Sequence, residues 1–263
     1  MQLIDIGANL SHESFAHDLS SVLDHARAAG VAQIIVTGAS EKGSGDAHAL
    51  AQRWPKYLYA TAGVHPHHAG DYTSETHETL RALHQHADVV AVGETGLDYF
   101  RDLSPRPTQQ FCFEQQLELG LACGKPLFLH QRDAHDDFIA ILRQVRDRLN
   151  ACVVHCFTAD KRELYECLDL DCHIGITGWI CDERRGAHLL PLMKSIPANR
   201  LMIETDAPYL LPRSIKPKPK THRNEPKYLP WVLDAVAAAR GETREELAAS
   251  SSATARAFFR LPS

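Results

Sequence analysis

The chain has 263 residues, of which 44% are hydrophobic and 23% charged, a composition typical of a globular protein with a sizeable core. Its formal net charge of −5 argues against a protein that binds nucleic acid through bulk positive charge, so a polyanion site would have to be local. The sequence has no apolar run long enough to span a bilayer and no basic segment ahead of its first apolar run. None of its seven cysteines forms a C-x-x-C pair. Together these features predict a cytoplasmic protein without a membrane segment.

Short and almost continuous apolar runs recur along the chain and predict parallel strands buried on both faces. Longer segments of helical character separate them, and eight such repeats predict an α/β fold, a (β/α)8 TIM barrel with a single domain over residues 1–263. A doubly wound open sheet is the alternative, although no G-x-G-x-x-G follows the first run. The runs cover residues 3–5, 34–37, 59–65, 89–94, 127–130, 152–155, 174–177 and 201–206.

Capping residues mark the ends of some predicted helices. Ser104 and Pro105 predict an N-cap followed by proline at the first helical position, and Gly124 can end that helix. Thr243 and Glu246 have the spacing of a capping box ahead of the last helix. Helical segments are therefore expected both in the middle and at the end of the chain.

Residues that can bind a metal or transfer a proton stand at the ends of most apolar runs. The carboxyl ends of barrel strands converge on one face, so these side chains are expected to be neighbours in space. Each has an ordinary structural explanation by itself, such as a hydrogen-bonded loop histidine or a helix cap. Their coincidence under one architecture instead predicts a hard nitrogen and oxygen site for a divalent cation. The residues are His65, Glu94, His130, His155 and Asp206, with Asp5 inside the first run.

Two positively charged features could contact an anionic substrate. Arg132 follows His130 directly and forms either a surface ion pair or a clamp for an anionic group. The segment 216–223 is rich in proline and base, contains no acidic residue and must be a loop. It is either a solvated charge run or a phosphate contact on the face of the expected metal site.

At these positions the sequence resembles the TatD family of metal-dependent nucleases, within the (β/α)8 metal-dependent hydrolases. The matching stretches follow the family order over nearly the whole chain. Many relatives carry an H-x-H pair on the first strand, where this chain has Gly7 and Asn9. The stretches cover residues 5–10, 63–67, 93–99, 130–135, 154–158, 174–179, 203–210 and 223–226.

The resemblance implies 3′-to-5′ exonuclease activity on single-stranded DNA and RNA with Mg²⁺, and the residue types also accept Mn²⁺ or Zn²⁺. One cation is expected to be held by the protein, and a second could bind when substrate phosphate supplies oxygens. We also expect a monomer with nucleic acid as its partner. The expected metal ligands are Glu94, His130, His155 and Asp206.

Hydrolysis of a phosphodiester needs an activated water, charge neutralisation and protonation of the leaving oxygen. Our hypothesis makes Asp206 the general base, Glu94 an orienting and bridging carboxylate, and His65 the general acid or phosphate donor. The residues expected to contact the substrate are His67, Arg132, Arg223, Asn224 and Lys218.

Two other functions remain open from the residues alone. The same metal site could hydrolyse an ester or amide, including an aminoacyl-tRNA ester, because activated water attacks carbonyl carbon as well as phosphorus. A scaffold that kept the barrel and lost catalysis is less favoured, since a full set of potential ligands remains.

Overall fold

The computed structural model describes residues 2–262 and contains an eight-stranded sheet in which the strands lie in chain order. Parallel pairing is seen between neighbouring strands, for example between the third and fourth. This is the strand order of a (β/α)8 barrel, so the predicted fold class is confirmed. The strands are β1 (Leu3–Ala8), β2 (Val31–Val36), β3 (Leu58–Ala62), β4 (Val89–Asp98), β5 (Leu127–Arg132), β6 (Cys152–Val154), β7 (His173–Ile176) and β8 (Leu201–Ile203).

Helices alternate with the strands except after β7. There the chain forms 3-10 segments, Gly178–Cys181, Ala187–Ser195 and Ala198–Arg200, in place of the helix that was expected. Pro191 lies inside the second of them and cannot donate the backbone hydrogen bond that a regular helix requires. The α-helices of the described residues are α1 (Leu19–Ala28), α2 (Glu41–Arg53), α3 (Ser74–Leu83), α4 (Arg106–Cys123), α5 (His135–Arg143), α6 (Lys161–Asp169), α7 (Leu229–Arg240) and α8 (Arg244–Phe259).

The chain divides into two compact units. The first, called the central unit here, comprises Val36–His155 and Arg162–His173 and contains β3 to β6. The second, called the terminal unit, comprises the chain up to Ile35, Cys156–Lys161 and the chain from Ile174 onward. The single domain over residues 1–263 stays a prediction.

Helix α4 is the main packing element of the central unit. Phe113 and Leu117 are buried on one face, and the Phe113 ring stacks on Phe138 with centroids 5.4 Å apart. The helix ends at Gly124 in the left-handed conformation, as predicted. Its start differs from the prediction, because Pro105 is the N-cap, and the Ser104 hydroxyl donates to the His67 carbonyl at 3.2 Å.

Two buried glutamines of α4 fix the strand ends that carry the polar residues. The Gln116 amide accepts from the Val64 amide nitrogen at 2.7 Å and donates to the Val64 carbonyl at 2.9 Å. Gln109 accepts from the Asp98 amide nitrogen at 2.9 Å. Because buried backbone groups need partners, these side chains hold the backbone after β3 and at the end of β4 in place.

The terminal unit contains α1, α7 and α8 together with β1 and β8. Thr243 and Glu246 form the predicted capping box at the start of α8. The segment 216–223 is irregular, as predicted. Among residues 2–262, no helix combines the length and the apolar character needed to cross a membrane.

Candidate metal centre

Glu94 lies in a bulge of β4. The pairing of β4 with β5 shifts register between Val92 and Thr95, and Gly93 has a φ of +133°. A Cβ atom at Gly93 would lie 2.1 Å from the carbonyl oxygen of Phe128, so only glycine allows the two strands to approach this closely. Bulges commonly re-aim a side chain beside an active site, and this one sets the position of Glu94.

Three imidazoles surround the Glu94 carboxylate. Its Oε1 lies 2.7 Å from Nε2 of His155 and 3.1 Å from Nδ1 of His130. Nε2 of His65 lies 3.4 Å from the same oxygen. Glu94 is only 7% exposed. The structure therefore gathers residues in or just after β3, β5 and β6 around one buried carboxylate of β4.

The tautomer of His65 follows from its backbone contact. Its Nδ1 accepts a hydrogen bond from the amide nitrogen of His67 at 3.1 Å, at the start of a 3-10 turn. An accepting Nδ1 carries no proton, so in the neutral ring the proton is on Nε2, which is the nitrogen that lies toward Glu94. His65 is therefore arranged as a hydrogen-bond donor at the centre.

A second carboxylate extends the cluster. Oδ2 of Asp98 lies 2.8 Å from Nε2 of His67 and 3.4 Å from Nε2 of His130. Its Oδ1 accepts from the amide nitrogen of Arg101 at 2.8 Å. Burial by itself raises the pKa of Asp98, but these histidines and this amide hold the pKa well below its usual range. His130 thus bridges Asp98 and Glu94.

The charges in the cluster are divided unequally among the residues. Burial alone raises the pKa of Glu94, but the neighbouring His155 and His65 and the hydrogen bonds hold it well below its usual range. Burial also lowers the pKa of His65 far below the ordinary value, although Glu94 opposes this. At His130 the two carboxylates outweigh burial and raise the pKa. His65 is therefore neutral, whereas His130 holds its proton more firmly.

The donor set fits a divalent cation. One ligand atom from each of His65, Glu94 and His130 lies within 4.8 Å of the others, and the same holds for His65, His67 and Asp98. Because His65 keeps its proton on Nε2, Glu94 and His130 are the members of the first group that could hold the cation. Nε2 of His130 is buried without a well-aligned hydrogen bond, an arrangement that a cation between the carboxylates would relieve. Imidazole nitrogens with carboxylate oxygens suit Mg²⁺, Mn²⁺ or Zn²⁺ in a hydrolytic site.

Asp206 belongs to the terminal unit, where it is held by the first strand. Its Oδ1 accepts from Nδ2 of Asn9 at 2.9 Å, and its amide nitrogen donates to the Gly7 carbonyl at 2.8 Å. The backbone at Asp206 has a φ of +53°, which is unusual for a residue other than glycine. Asn9 therefore orients Asp206, and metal ligation by Asp206 stays a prediction.

Asp5 is fully buried beneath this segment. It accepts from the Thr205 amide nitrogen at 2.9 Å and contacts the Thr205 hydroxyl at 2.5 Å. Burial raises its pKa to about 8, in spite of these hydrogen bonds. Asp5 is thus a buried, mostly protonated group that holds the residue before Asp206.

Of the predicted substrate contacts in the central unit, His67 is bonded to Asp98 and Arg132 lies at the end of β5. The Arg132 guanidinium stacks 3.8 Å from the ring centroid of Phe100, which is 54% exposed. An exposed aromatic ring with an arginine on its face can accept a nucleobase and its phosphate.

The three predicted contacts of the terminal unit are placed differently from one another. Lys218 is exposed in its loop. Arg223 donates to Asp18 at 2.9 and 2.6 Å, so a phosphate would have to compete for its guanidinium. Asn224 is fully buried, donating to the Thr205 carbonyl and accepting from the Glu225 amide nitrogen, each at 2.9 Å. Asn224 thus positions the segment that carries Asp206, and a contact with substrate stays a prediction.

A family model described as TatD related DNase matches residues 4–260. A protein of Erwinia billingiae named 3′-5′ ssDNA/RNA exonuclease TatD is 48% identical over 260 residues, which cover 99% of this chain and 100% of that protein. The chain belongs to the TatD related DNase family. The resemblance drawn from the sequence is thereby confirmed.

Other comparisons agree with TatD membership. A protein of Pantoea vagans with the same name as the Erwinia protein is 47% identical, covering 98% of this chain and 100% of its own. The crystal structure of a TatD homologue from Escherichia coli has a TM-score of 0.90 at 28% identity, covering 99% of this chain and 98% of that one. This likeness supports the barrel fold of the TatD chain over its full length.

Asp98 and Phe100 were not singled out as site residues from the sequence of this TatD chain. A signal for Asp98 was present, because Glu94, Gly96 and Asp98 are spaced two apart and β4 continues four residues beyond its predicted end. Phe100 follows the strand in a turn and has no periodic signal. Only the structure shows that it contacts Arg132.

Proposed function

We propose that the chain is a metal-dependent 3′-to-5′ exonuclease that hydrolyses phosphodiester bonds of single-stranded DNA or RNA. The observation that carries the proposal is the Glu94 carboxylate buried among three imidazoles. It occurs in a chain 48% identical over nearly its whole length to a protein named 3′-5′ ssDNA/RNA exonuclease TatD. The predicted nuclease class agrees with the family and these relatives, and an ester or amide hydrolase is not favoured.

The proposed cofactor is a divalent cation, Mg²⁺ in preference to Mn²⁺ or Zn²⁺. Glu94, His130 and His155 would hold it, with Asp206 as the proposed fourth ligand. When bound, such a cation neutralises charge on the phosphate and lowers the pKa of water. Because the ligating imidazoles must be neutral, His130 would release its proton as the cation enters.

Of the two roles predicted for His65, we propose that of phosphate donor, with Asp206 as the group that takes up a proton. The neutral ring can donate its Nε2–H as a hydrogen bond to a phosphate oxygen because its Nδ1 already accepts from the His67 amide, whereas protonating the leaving oxygen would require the imidazolium form that burial disfavours. Asp206, oriented by Asn9, is the proposed general base for the attacking water. His67 is held by Asp98 and lies next to His65, and it is proposed to contact the substrate as well.

The nucleic acid strand is proposed to be held by stacking and by charge. Phe100 presents an exposed ring beside Arg132, which would place a base and its phosphate next to the end of β5. Lys218 and Arg223 are proposed to guide the strand, and Asn224 to position the segment that carries Asp206. We further propose a single-domain, cytoplasmic monomer. None of the seven cysteines is in a disulfide within residues 2–262, which suits a reducing compartment.

The direct test is the degradation of single-stranded DNA and RNA labelled at either end, with Mg²⁺ and with EDTA. We expect Mg²⁺-dependent shortening from the 3′ end in the wild type and a loss of at least about 100-fold in kcat for Glu94→Gln, since the carboxylate charge is removed at the metal. Glu114→Gln on the exposed face of α4 is the control and should match the wild type. Shortening from the 5′ end, or EDTA-resistant activity, would contradict the proposal.

A further inference from the structure

A second cluster of histidine and carboxylate lies at the opposite end of the central unit strands. His48 is in α2, and His86 and Asp88 are in the segment between α3 and β4. One ligand atom from each of the three side chains lies within 4.8 Å of the others. Asp88 directly precedes β4 whereas Glu94 is six residues further on, a separation of roughly 20 Å at the usual rise of a strand. The two clusters therefore do not share ligands.

The contacts within the cluster do not form an ordinary hydrogen-bonded pair. Nδ1 of His48 is buried and lies 3.2 Å from Oδ2 of Asp88, yet the two atoms are not aligned for a hydrogen bond. The rings of His48 and His86 face each other with centroids 4.3 Å apart and planes 33° apart. Two imidazoles and a carboxylate are thus held side by side with a buried nitrogen that lacks a well-formed partner.

The backbone that carries the cluster is fixed in advance. The Asp88 carbonyl accepts from the Ala60 amide nitrogen at 2.8 Å. The Lys125 ammonium donates to the His86 carbonyl at 3.0 Å and to the His84 carbonyl at 2.6 Å. The positive charge of Lys125 opposes the binding of a cation nearby. The Lys125 ammonium is hydrogen-bonded to these carbonyls, however, and the negative charge of the Asp88 carboxylate compensates its positive charge. Little rearrangement is needed for a ligand to bind.

We propose that His48, His86 and Asp88 form a second metal site that takes a transition-metal dication of the zinc class. Two imidazole nitrogens with one carboxylate oxygen are a ligand set typical of Zn²⁺, which binds three protein ligands and water in a tetrahedron. Mg²⁺ and Ca²⁺ prefer oxygen ligands, and this cluster has only one carboxylate against two imidazoles, so its donor set favours Zn²⁺ over them. His48 is buried, Asp88 is half-buried and His86 is exposed, which leaves an entry path for the ion and its water.

The bound ion would join α2 to the start of β4. A ligand that binds only the folded state stabilises it by RT ln(1 + L/Kd), where L is the free ligand concentration, and so raises the melting temperature as L rises above Kd. The site is therefore proposed to stabilise the central unit, separately from the exonuclease reaction at Glu94.

The test is equilibrium dialysis against Zn²⁺ with metal analysis, on the full-length wild type, His86→Gln, Glu94→Ala and the double variant. We expect His86→Gln to bind one Zn²⁺ fewer per chain, or to bind it at least ten-fold more weakly, in both backgrounds. The Zn²⁺-induced rise in melting temperature should be smaller in His86→Gln than in the wild type, while Mg²⁺-dependent nuclease activity stays at the wild-type level. Comparing both backgrounds separates this site from the centre around Glu94.

Asp88→Asn provides a second variant that keeps the backbone acceptor and the shape of the side chain. It should reproduce the loss of Zn²⁺ seen with His86→Gln. His25→Gln, an exposed histidine of α1, is the matched control and should leave the stoichiometry unchanged. Equal Zn²⁺ binding and equal thermal shifts in the wild type, His86→Gln and Asp88→Asn would overturn the proposal and leave an ordinary ion pair with a stacked ring.

Discussion

The carboxylates of β4 are neutralised by imidazoles rather than by lysine or arginine. Glu94 contacts three histidines, and Asp98 contacts His67 and His130. Imidazoles can give up their protons near neutral pH, so a metal cation can take the place of those protons without breaking a permanent salt bridge. An arginine in this position would keep its charge and would compete with the metal. The residue types thus suit a site that binds and releases a cation.

Arg132 is expected to bind the substrate without holding the metal. Arg132→Ala should raise KM and lower kcat/KM by about ten-fold, because a charge-assisted hydrogen bond contributes about 1.5 kcal/mol or more. Steady-state kinetics on single-stranded DNA, with metal content measured on the same samples, check this. Arg148→Ala, a surface arginine, is the control and should leave both quantities unchanged. Loss of metal in Arg132→Ala would contradict this assignment.

Asp5 is expected to make the stability of the protein depend on pH. Its pKa is about 8 in the folded protein against an ordinary value of 3.8, so the stabilisation is complete below about pH 4. Between these values the folded state keeps the proton that the unfolded chain has lost, and the free energy of unfolding falls as pH rises. The slope is at most about 1.4 kcal/mol per pH unit.

Asp5→Asn mimics the protonated acid and should remove this contribution. Its free energy of unfolding relative to the wild type should increase from pH 5 to pH 8, as measured by urea denaturation at each pH. Asp24→Asn, on the exposed surface of α1, is the control. Parallel pH profiles for Asp5→Asn and the wild type would show that Asp5 is ionised in the folded state.

At the scale of elements, the irregular strand β4 positions both carboxylates of the candidate metal centre. The strand spans ten residues, longer than the common five or six, and includes a change of register beside Glu94. The extra length carries the chain on to Asp98. A regular strand with Glu94 in unbroken alternation would lack the close approach to β5 that brings His130 to the carboxylate. Backbone geometry, more than side-chain packing, therefore determines this site.

Gly96→Ala should destabilise the protein strongly. Gly96 has a φ of +145°, and a Cβ there would lie 1.9 Å from the His130 carbonyl oxygen, so β5 would have to move. The expected loss is about 2 kcal/mol or more in the free energy of unfolding, measured by chemical denaturation.

Gly45→Ala is the matched control for this substitution. Gly45 lies in α2 with no atom within 4 Å of the added methyl group, so alanine should stabilise the helix by up to about 1 kcal/mol. A loss in Gly96→Ala no larger than the effect at Gly45 would show that the backbone of β4 tolerates a side chain.

At the scale of the whole molecule, a net charge of −5 must be reconciled with a polyanionic substrate. The exposed Lys216, Lys218 and Lys220 concentrate positive charge in one proline-rich loop without an acidic neighbour in the loop. Local positive charge can bind and orient a strand even when the overall field repels it. The loop is thus the expected source of salt-dependent affinity.

Replacing Lys216, Lys218 and Lys220 by alanine should weaken the binding of single-stranded DNA. The slope of log K against log salt should flatten by up to about 2, since each phosphate contact on a single strand contributes about 0.7. Fluorescence anisotropy across a salt series measures this. The same change at the exposed Lys42, Lys161 and Lys194 is the control. An unchanged slope in the loop variant would mean that the loop is merely solvated.

The sequence by itself determined the order of the strands and of the helices other than the one expected after β7, the α4 end at Gly124, the capping box of α8 and the family. These features depend on periodicity and on residues close together in the chain, because helices, caps and buried strands are specified locally. The ends of the apolar runs also supplied the histidines and Glu94 as candidates, since a barrel collects its strand ends on one face.

Only the tertiary structure decided which partners these residues have. Asp98 joins the centre through His67 and His130, Phe100 meets Arg132, and Asn224 turns inward to the Thr205 carbonyl. These contacts join positions separated by 19 to 32 residues and depend on bulges, turns and burial. The spacing of residues in the sequence can predict that a side chain lies at one end of the sheet. The path of the backbone and the competition for buried hydrogen bonds decide which residues it contacts there.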